Sequence, residues 1–129
     1  MEWQFRNDIP IYTQLIEQIK QRIVSGVFAP GQRLPAVREF ALDAGVNPNT
    51  MQRALAELER DALVYSQRTA GRFVTEDAAL IRQLREELAQ AQLQQFFRAM
   101  AELGFEREEI IALVNRIETK EDHHGDTGM

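Results

Sequence analysis

Asn49, Thr50, Gln52 and Arg53 form a short polar run just after Asn47-Pro48. At helical spacing they oppose Met51, Ala54, Leu55 and Leu58, so one face is polar and the other apolar. The chemistry these side chains offer is recognition of base edges. Asn and Gln can bond adenine through two hydrogen bonds, and Arg can do the same with guanine. The acids Glu57, Glu59 and Asp61 come later, away from the turns that would meet the bases. Each polar residue also has a structural role open to it. Asn47, Asn49 and Thr50 suit a helix start, with Asn47 a favoured cap. Arg53 could pair with Glu57, although a base preceding an acid at this spacing is the less favourable order. Arg33 and Arg38 before the run, and Arg68 and Arg72 after it, could hold phosphates around the same helix, or could be scattered surface charge. Arg60 sits among acids and reads as structural.

No other set of residues promises chemistry. There is no cysteine, which removes disulfides, thiolate zinc sites and cysteine nucleophiles together. No Ser/His/Asp set, glycine-rich phosphate loop or helix-borne metal motif occurs. His123-His124, with Glu121, Asp122 and Asp126, lies in a polar terminal stretch with no scaffold to fix ligand geometry. The reading is of a chain with no catalytic residue, no cofactor and no metal, hence not an enzyme.

The elements that must position the polar run follow from prolines, glycines and periodicity. All four prolines fall at or before Pro48, each where a helix would begin or a turn would form. After Pro10, Ile11, Leu15, Ile19 and Ile23 recur every fourth residue up to a stop at Gly26, which predicts a first helix. Pro30-Gly31 signals a turn. Leu34-Pro35 then opens a short second helix carrying Val37, Phe40 and Ala41, which ends near Gly45. The third helix starts at Asn47-Pro48 and runs to about Asp61. Leu63 to Ser66 and Arg72 to Thr75 are β-prone, and the polar stretch Gln67 to Gly71 between them reads as a hairpin loop. Two short helices joined by a tight turn and followed by a hairpin describe a winged helix-turn-helix, whose second helix of the pair enters the major groove.

The second half differs in composition. From Asp77 to Leu103 there is no proline or glycine, and strong helix formers dominate, so a long helix is expected. Ile81, Leu84, Leu88 and Ala91 form a coiled-coil-like seam that shifts to Leu93, Phe96, Phe97, Met100 and Leu103. After Gly104, a further helix over Glu106 to Thr119 turns Ile110, Leu113, Val114 and Ile117 inward. Two helices cannot bury all of this apolar surface alone, and a two-fold dimer is the simplest remedy. Ile81, Leu84, Leu88, Leu93, Phe96, Phe97, Met100, Leu103, Ile110 and Val114 are the expected dimer residues.

Charge follows the same division. The net charge of -5 argues against a nucleic-acid partner only if it is spread evenly. From Met1 to Thr75 there are nine Lys and Arg against eight Asp and Glu, whereas from Glu76 onward there are six against twelve. The acidity therefore belongs to the second half, and the first is free to present a basic face. With 129 residues the expected plan is a winged helix over 1–76, a helical dimerisation segment over 77–120 and a disordered tail over 121–129. The fold class is mostly α with a small β-hairpin. No apolar run is long enough for a bilayer and the N-terminus lacks a signal-peptide layout, so a cytoplasmic chain with no membrane partner is expected.

The residues resemble the N-terminal domain of the GntR family of bacterial transcription regulators, specifically its short YtrA-type branch. The resemblance is carried by Pro10-Ile11-Tyr12-Thr13-Gln14-Leu15, Gly26 to Glu39, Val46 to Ala54 and Glu57-Leu58-Glu59, and with the hairpin it covers Pro10 to Thr75. It implies that Arg38 contacts the operator and that Asn49, Thr50, Gln52 and Arg53 lie on the recognition helix. It also implies that Gly71 lets the hairpin tip approach the minor groove, and that two C-terminal helices make a homodimer. Three departures stand out. Ala36 replaces a usual serine, Ala62 replaces a common glycine, and the hairpin carries Thr69 and Arg72 where the family usually has a second glycine and a small hydroxyl residue.

The expected function is that of a sequence-specific DNA-binding transcription regulator, a homodimeric repressor on an inverted-repeat operator of double-stranded DNA. The competing reading is a protein-interaction adaptor that uses the winged helix as a docking surface, which would have no need of Asn, Thr, Gln and Arg at the start of the third helix. A small-molecule effector is allowed for, at the junction of wing and long helix or near Phe96, Met100 and Phe105, but no convergent polar groups identify one.

Overall fold

The computed structural model describes residues 2–127, with side chains described for 2–117. The element order is α1 (Ile11–Val24), α2 (Val37–Ala44), α3 (Pro48–Arg60), β1 (Val64–Gln67), β2 (Gly71–Val74), α4 (Ala78–Glu102) and α5 (Arg107–Thr127). Two compact units result, Met1–Leu88 and Ala89–Met129, and α4 contributes residues to both.

In the first unit each helix starts and stops for a local reason. Pro10 fixes the entry of α1, and Gly26, at φ 86°, turns the chain away after it. α2 begins later than Leu34-Pro35 suggests, with Ala36 as an extended N-cap that offers no side-chain acceptor. It closes on Gly45 in the left-handed conformation, whose N–H reaches the last turn. Asn47 caps α3: its Oδ1 accepts the Asn49 N–H at 2.8 Å, and Pro48 fills the first helical position.

The apolar faces of these helices meet in one core. Leu15, Ile19 and Ile23 of α1, Phe40 of α2, and Met51, Ala54, Leu55 and Leu58 of α3 are buried, together with Phe28, Val64 and Val74. Truncating one of them, as in Leu55→Ala, costs about 2–5 kcal/mol because the tight surroundings cannot refill the space.

β1 and β2 pair antiparallel with Val64 opposite Val74 and Gln67 opposite Gly71. The segment after the Pro30-Gly31 turn runs beside β2 as well. Gly31 N–H donates to Val74 C=O at 2.9 Å, Leu34 N–H to Arg72 C=O at 2.8 Å, and Arg33 bridges Phe73. This third edge is invisible to periodicity because only backbone groups carry it.

The N-terminal segment is tied down more firmly than its composition suggests. The Trp3 indole N–H donates to Asp43 at 2.9 Å, its ring meets Phe40 edge-on at 5.8 Å, and the Arg22 guanidinium lies 3.7 Å above it. Gln14, buried in α1, accepts from the Arg6 N–H at 2.7 Å and donates to the Arg6 and Ile9 carbonyls at 2.8 Å. A buried amide satisfied in this way fixes where the segment enters α1.

The structure carries two elements further than the sequence expectations. The division between units falls at Leu88/Ala89 rather than 76/77. The cause is that Leu84 is buried in the winged-helix core and Leu80, Ile81 and Leu88, partly buried, pack against it, so part of the stripe Ile81, Leu84 and Leu88 is covered within one chain. The last helix, expected to stop at Thr119, is helical to Thr127, and no proline interrupts it. Of the expected tail, Gly128 and Met129 lie outside the described residues, as do the side chains of His123 and His124.

Candidate nucleic-acid interface

α3 buries Met51, Ala54, Leu55 and Leu58 and turns Asn49, Gln52 and Arg53 outward, with Thr50 half-buried beside them. The first turns of α3 thus present an amide pair and a guanidinium to solvent, next to the positive end of the helix dipole. Arg53 does not pair with Glu57. Its guanidinium lies 4.0 Å from the centre of the Tyr12 ring, and the Tyr12 hydroxyl donates to the Glu57 carboxylate. The same carboxylate receives Arg60 Nη1 at 3.4 Å. That hydrogen bond holds the Tyr12 hydroxyl above its ordinary pKa, with burial and the negative charge of Glu57 adding to the rise.

Glu59, one turn from the end of α3, is equally occupied. It accepts from the Ser66 hydroxyl on β1 and from Arg72 Nε on β2 at 3.3 Å, so it pins the hairpin to the helix. Arg72, expected at a phosphate, is thereby tied to Glu59, and its side chain is 20% exposed. Neither acid is therefore an unpaired negative charge beside the reading face.

The other expected cations are free of such ties. Arg33, Arg38 and Arg68 are exposed and enter no ion pair among the described residues. Arg38 stands on α2 and Arg68 at the hairpin tip, while the Arg33 side chain lies against Gly71. Asn47 is the α3 cap described above, a structural duty that leaves its amide nitrogen unassigned.

The chain is 40% identical over 111 residues to the uncharacterized HTH-type transcriptional regulator YhcF of Bacillus subtilis, covering 86% of this chain and 92% of that protein. The chain belongs to the GntR family. The model described as bacterial regulatory proteins, gntR family, matches residues 11–74. The HTH-type transcriptional repressor YtrA of Bacillus subtilis is 41% identical over 73 residues, 57% of this chain and 56% of YtrA. These relatives are consistent with the short YtrA-type branch. A GntR family transcriptional regulator from Listeria monocytogenes has the same architecture, with a TM-score of 0.79 at 40% identity over 87% of this chain and 98% of that one. The DNA-binding domain of AraR in complex with operator ORX1 matches 58% of this chain and 96% of its own, with a TM-score of 0.53 at 30% identity. As a GntR member the chain is a DNA-binding transcription regulator and not an enzyme.

Its departures from the GntR pattern have structural addresses. Ala62 and Thr69, both standing where glycine is usual, adopt left-handed backbone with φ of 64° and 70°. Ala36, where serine is usual, is the N-cap of α2.

In the Ala89–Met129 unit, Phe96 meets Phe97 edge-on at 5.9 Å, and Arg107 lies 5.2 Å from the centre of the Phe97 ring. Leu93, Phe96, Leu103 and Val114 of the expected dimer set are exposed, and Phe97 and Met100 are half-buried. Ile110 is a correction. It is 2% exposed within one chain and is core rather than contact surface. Ile111 and Ile117 are exposed instead; Ile117 was expected to face inward, and Ile111 was missed although it neighbours the stripe in sequence. A small open cleft lined by Lys20, Asp61, Leu63, Leu80 and Glu87 lies where the hairpin starts beside α4, one of the two places allowed for an effector. No helix among the described residues is long and apolar enough to cross a membrane.

Proposed function

We propose that this GntR member is a cytoplasmic homodimeric repressor that reads an inverted-repeat operator with two copies of α3. The observation that carries this reading is the exposed start of α3, where Asn49, Gln52 and Arg53 stand clear of acids because Glu57 and Glu59 are occupied elsewhere. Asn49, Thr50, Gln52 and Arg53 face the bases, while Arg33, Arg38, Arg68 and the hairpin tip around Gly71 supply backbone and groove contacts. The exposed apolar side chains Leu93, Phe96, Leu103, Ile111, Val114 and Ile117, with Phe97 and Met100 beside them, form the contact between two copies. Repression is the simplest outcome of occupying an operator, and YtrA carries that description.

Selection of random duplexes by the purified protein at physiological salt tests the proposal. An enriched inverted repeat with half-sites about one helical turn apart, or a multiple of it, is expected. Weak binding that only falls with salt and enriches no sequence would overturn the reading of an inverted repeat by α3.

A further inference from the structure

α1 supplies a side chain to the reading face that no base-reading argument anticipates. Tyr12 is half-buried, its ring packs on the winged-helix core, and its hydroxyl is fixed by Glu57 of α3. Both ends of the ring are thereby held, and its open face carries the Arg53 guanidinium at 4.0 Å. Glu57 stands one turn after Arg53 and would otherwise attract that cation along the helix surface. Its hydrogen bond from Tyr12 and its contact with Arg60 occupy the carboxylate.

We propose that Tyr12 is a positioning residue for base recognition, a platform that holds Arg53 extended over its ring and, through Glu57, keeps the guanidinium out of an intrahelical ion pair. The inference rests on the reading of Arg53 as a base contact. An arginine has several rotatable bonds to order before it can meet guanine through two hydrogen bonds, and a platform that orders them beforehand removes that cost from the bound state. The benefit is confined to the sequence that offers the matching base. A phosphate can be reached from many arginine rotamers, so affinity for unrelated duplex gains little. Tyr12 therefore acts on the ratio of specific to non-specific binding.

The test uses the full-length protein, the duplex that the wild type enriches from a random pool, and a scrambled duplex of the same composition. Tyr12→Leu removes the ring, and Tyr12→Phe keeps the ring but releases Glu57. Tyr12→Leu is expected to weaken binding to the selected duplex by roughly three- to ten-fold, as loss of a cation–π contact allows, with the scrambled duplex unaffected. Tyr12→Phe should fall between it and the wild type. In an Arg53→Ala background neither change should have a further effect, because the platform then has nothing to hold. Urea unfolding of each variant ensures that folded protein is compared, and Tyr12→Phe carries the test if Tyr12→Leu does not fold. Equal losses on both duplexes, or losses that add fully to that of Arg53→Ala, would overturn the platform while leaving Arg53 as a reader. Unchanged binding by Arg53→Ala alone would overturn the reading of Arg53, and the inference with it.

Discussion

The Arg33 side chain lies against the backbone of Gly71, so close that a Cβ added to the glycine would stand 3.3 Å from Arg33 Nε. Arg33 comes from the segment that edges β2, and Gly71 opens β2 with φ 104°. The glycine therefore serves the hairpin twice, once by its backbone conformation and once by leaving room for a cation.

Gly71→Ala separates the two roles. The left-handed backbone should destabilise the fold by about 1–2 kcal/mol, and the new methyl should shift the Arg33 side chain by a few tenths of an ångström and weaken DNA binding modestly. In an Arg33→Ala background the loss of stability should persist and the loss of binding should vanish. Urea unfolding and fluorescence titration of a labelled duplex measure the two effects. A binding loss of the same size in both backgrounds would show that Arg33 is not what the glycine accommodates.

Ala62 and Thr69 carry the opposite expectation. Both hold positive φ without being glycine, and Thr69 is β-branched, which makes its conformation the more strained. Thr69 occupies the third position of the turn closed by Ala70 N–H and Gln67 C=O at 3.0 Å, where turns with left-handed backbone favour glycine. Relief of this strain exceeds the extra chain entropy that glycine loses on folding. Ala62→Gly and Thr69→Gly should each stabilise the protein by about 0.5–1 kcal/mol. A fall in the urea midpoint for both would contradict the assigned backbone.

Ala36 leaves the N-terminus of α2 without a side-chain acceptor although its backbone is already extended, φ -60° and ψ 151°, as a cap requires. Ala36→Ser should supply the missing acceptor and raise stability by about 1 kcal/mol. Thermal unfolding at fixed protein concentration reads this directly. No rise in the midpoint would mean that the hydroxyl turns to solvent.

These positions indicate what the sequence made legible. Helix boundaries set by Pro10, Gly45 and Asn47-Pro48 could be read directly, because caps and left-handed turns are local chemistry. The outward set Asn49, Gln52 and Arg53 was legible for the same reason, as the complement of a clear apolar face. Partners that depend on tertiary placement were not. Nothing near Arg72 in sequence announces Glu59, and nothing near Arg53 announces Tyr12, because both pairs form only when separate elements pack. Periodicity in Ile81, Leu84 and Leu88 reports that a face is covered and not by what, and the winged-helix core covers part of it.

Tyr12 gives a pH dependence with a definite sign. Its folded-state pKa lies above the ordinary 10.0, first because ionisation would break the hydrogen bond to Glu57. A pKa raised by folding means that the stabilisation is fully present below about pH 10 and is lost as the pH rises through the folded value. The difference in stability between the wild type and Tyr12→Phe should be constant from pH 7 to about 9.5 and then shrink. Urea unfolding at each pH measures it. A difference that stays constant to pH 11 would place the Tyr12 hydroxyl outside the linkage.

Self-association is tested by two substitutions with opposite expected results. Leu103 is 72% exposed, so Leu103→Glu costs a single chain little, yet in a dimer that covers this surface it would bury an unpaired carboxylate at a cost of several kcal/mol. Ile110, 2% exposed, is buried within a single chain, and Ile110→Glu should disrupt its packing whatever the oligomeric state. Sedimentation velocity should show Leu103→Glu as a folded monomer with unchanged helical circular dichroism, and Ile110→Glu with reduced helicity. The monomer should bind a full inverted repeat more weakly than the dimer, because the second half-site is no longer reached at high effective concentration. It should bind an isolated half-site as well as before. A Leu103→Glu protein that still sediments as a dimer would move the contact to the face around Ile111, Val114 and Ile117.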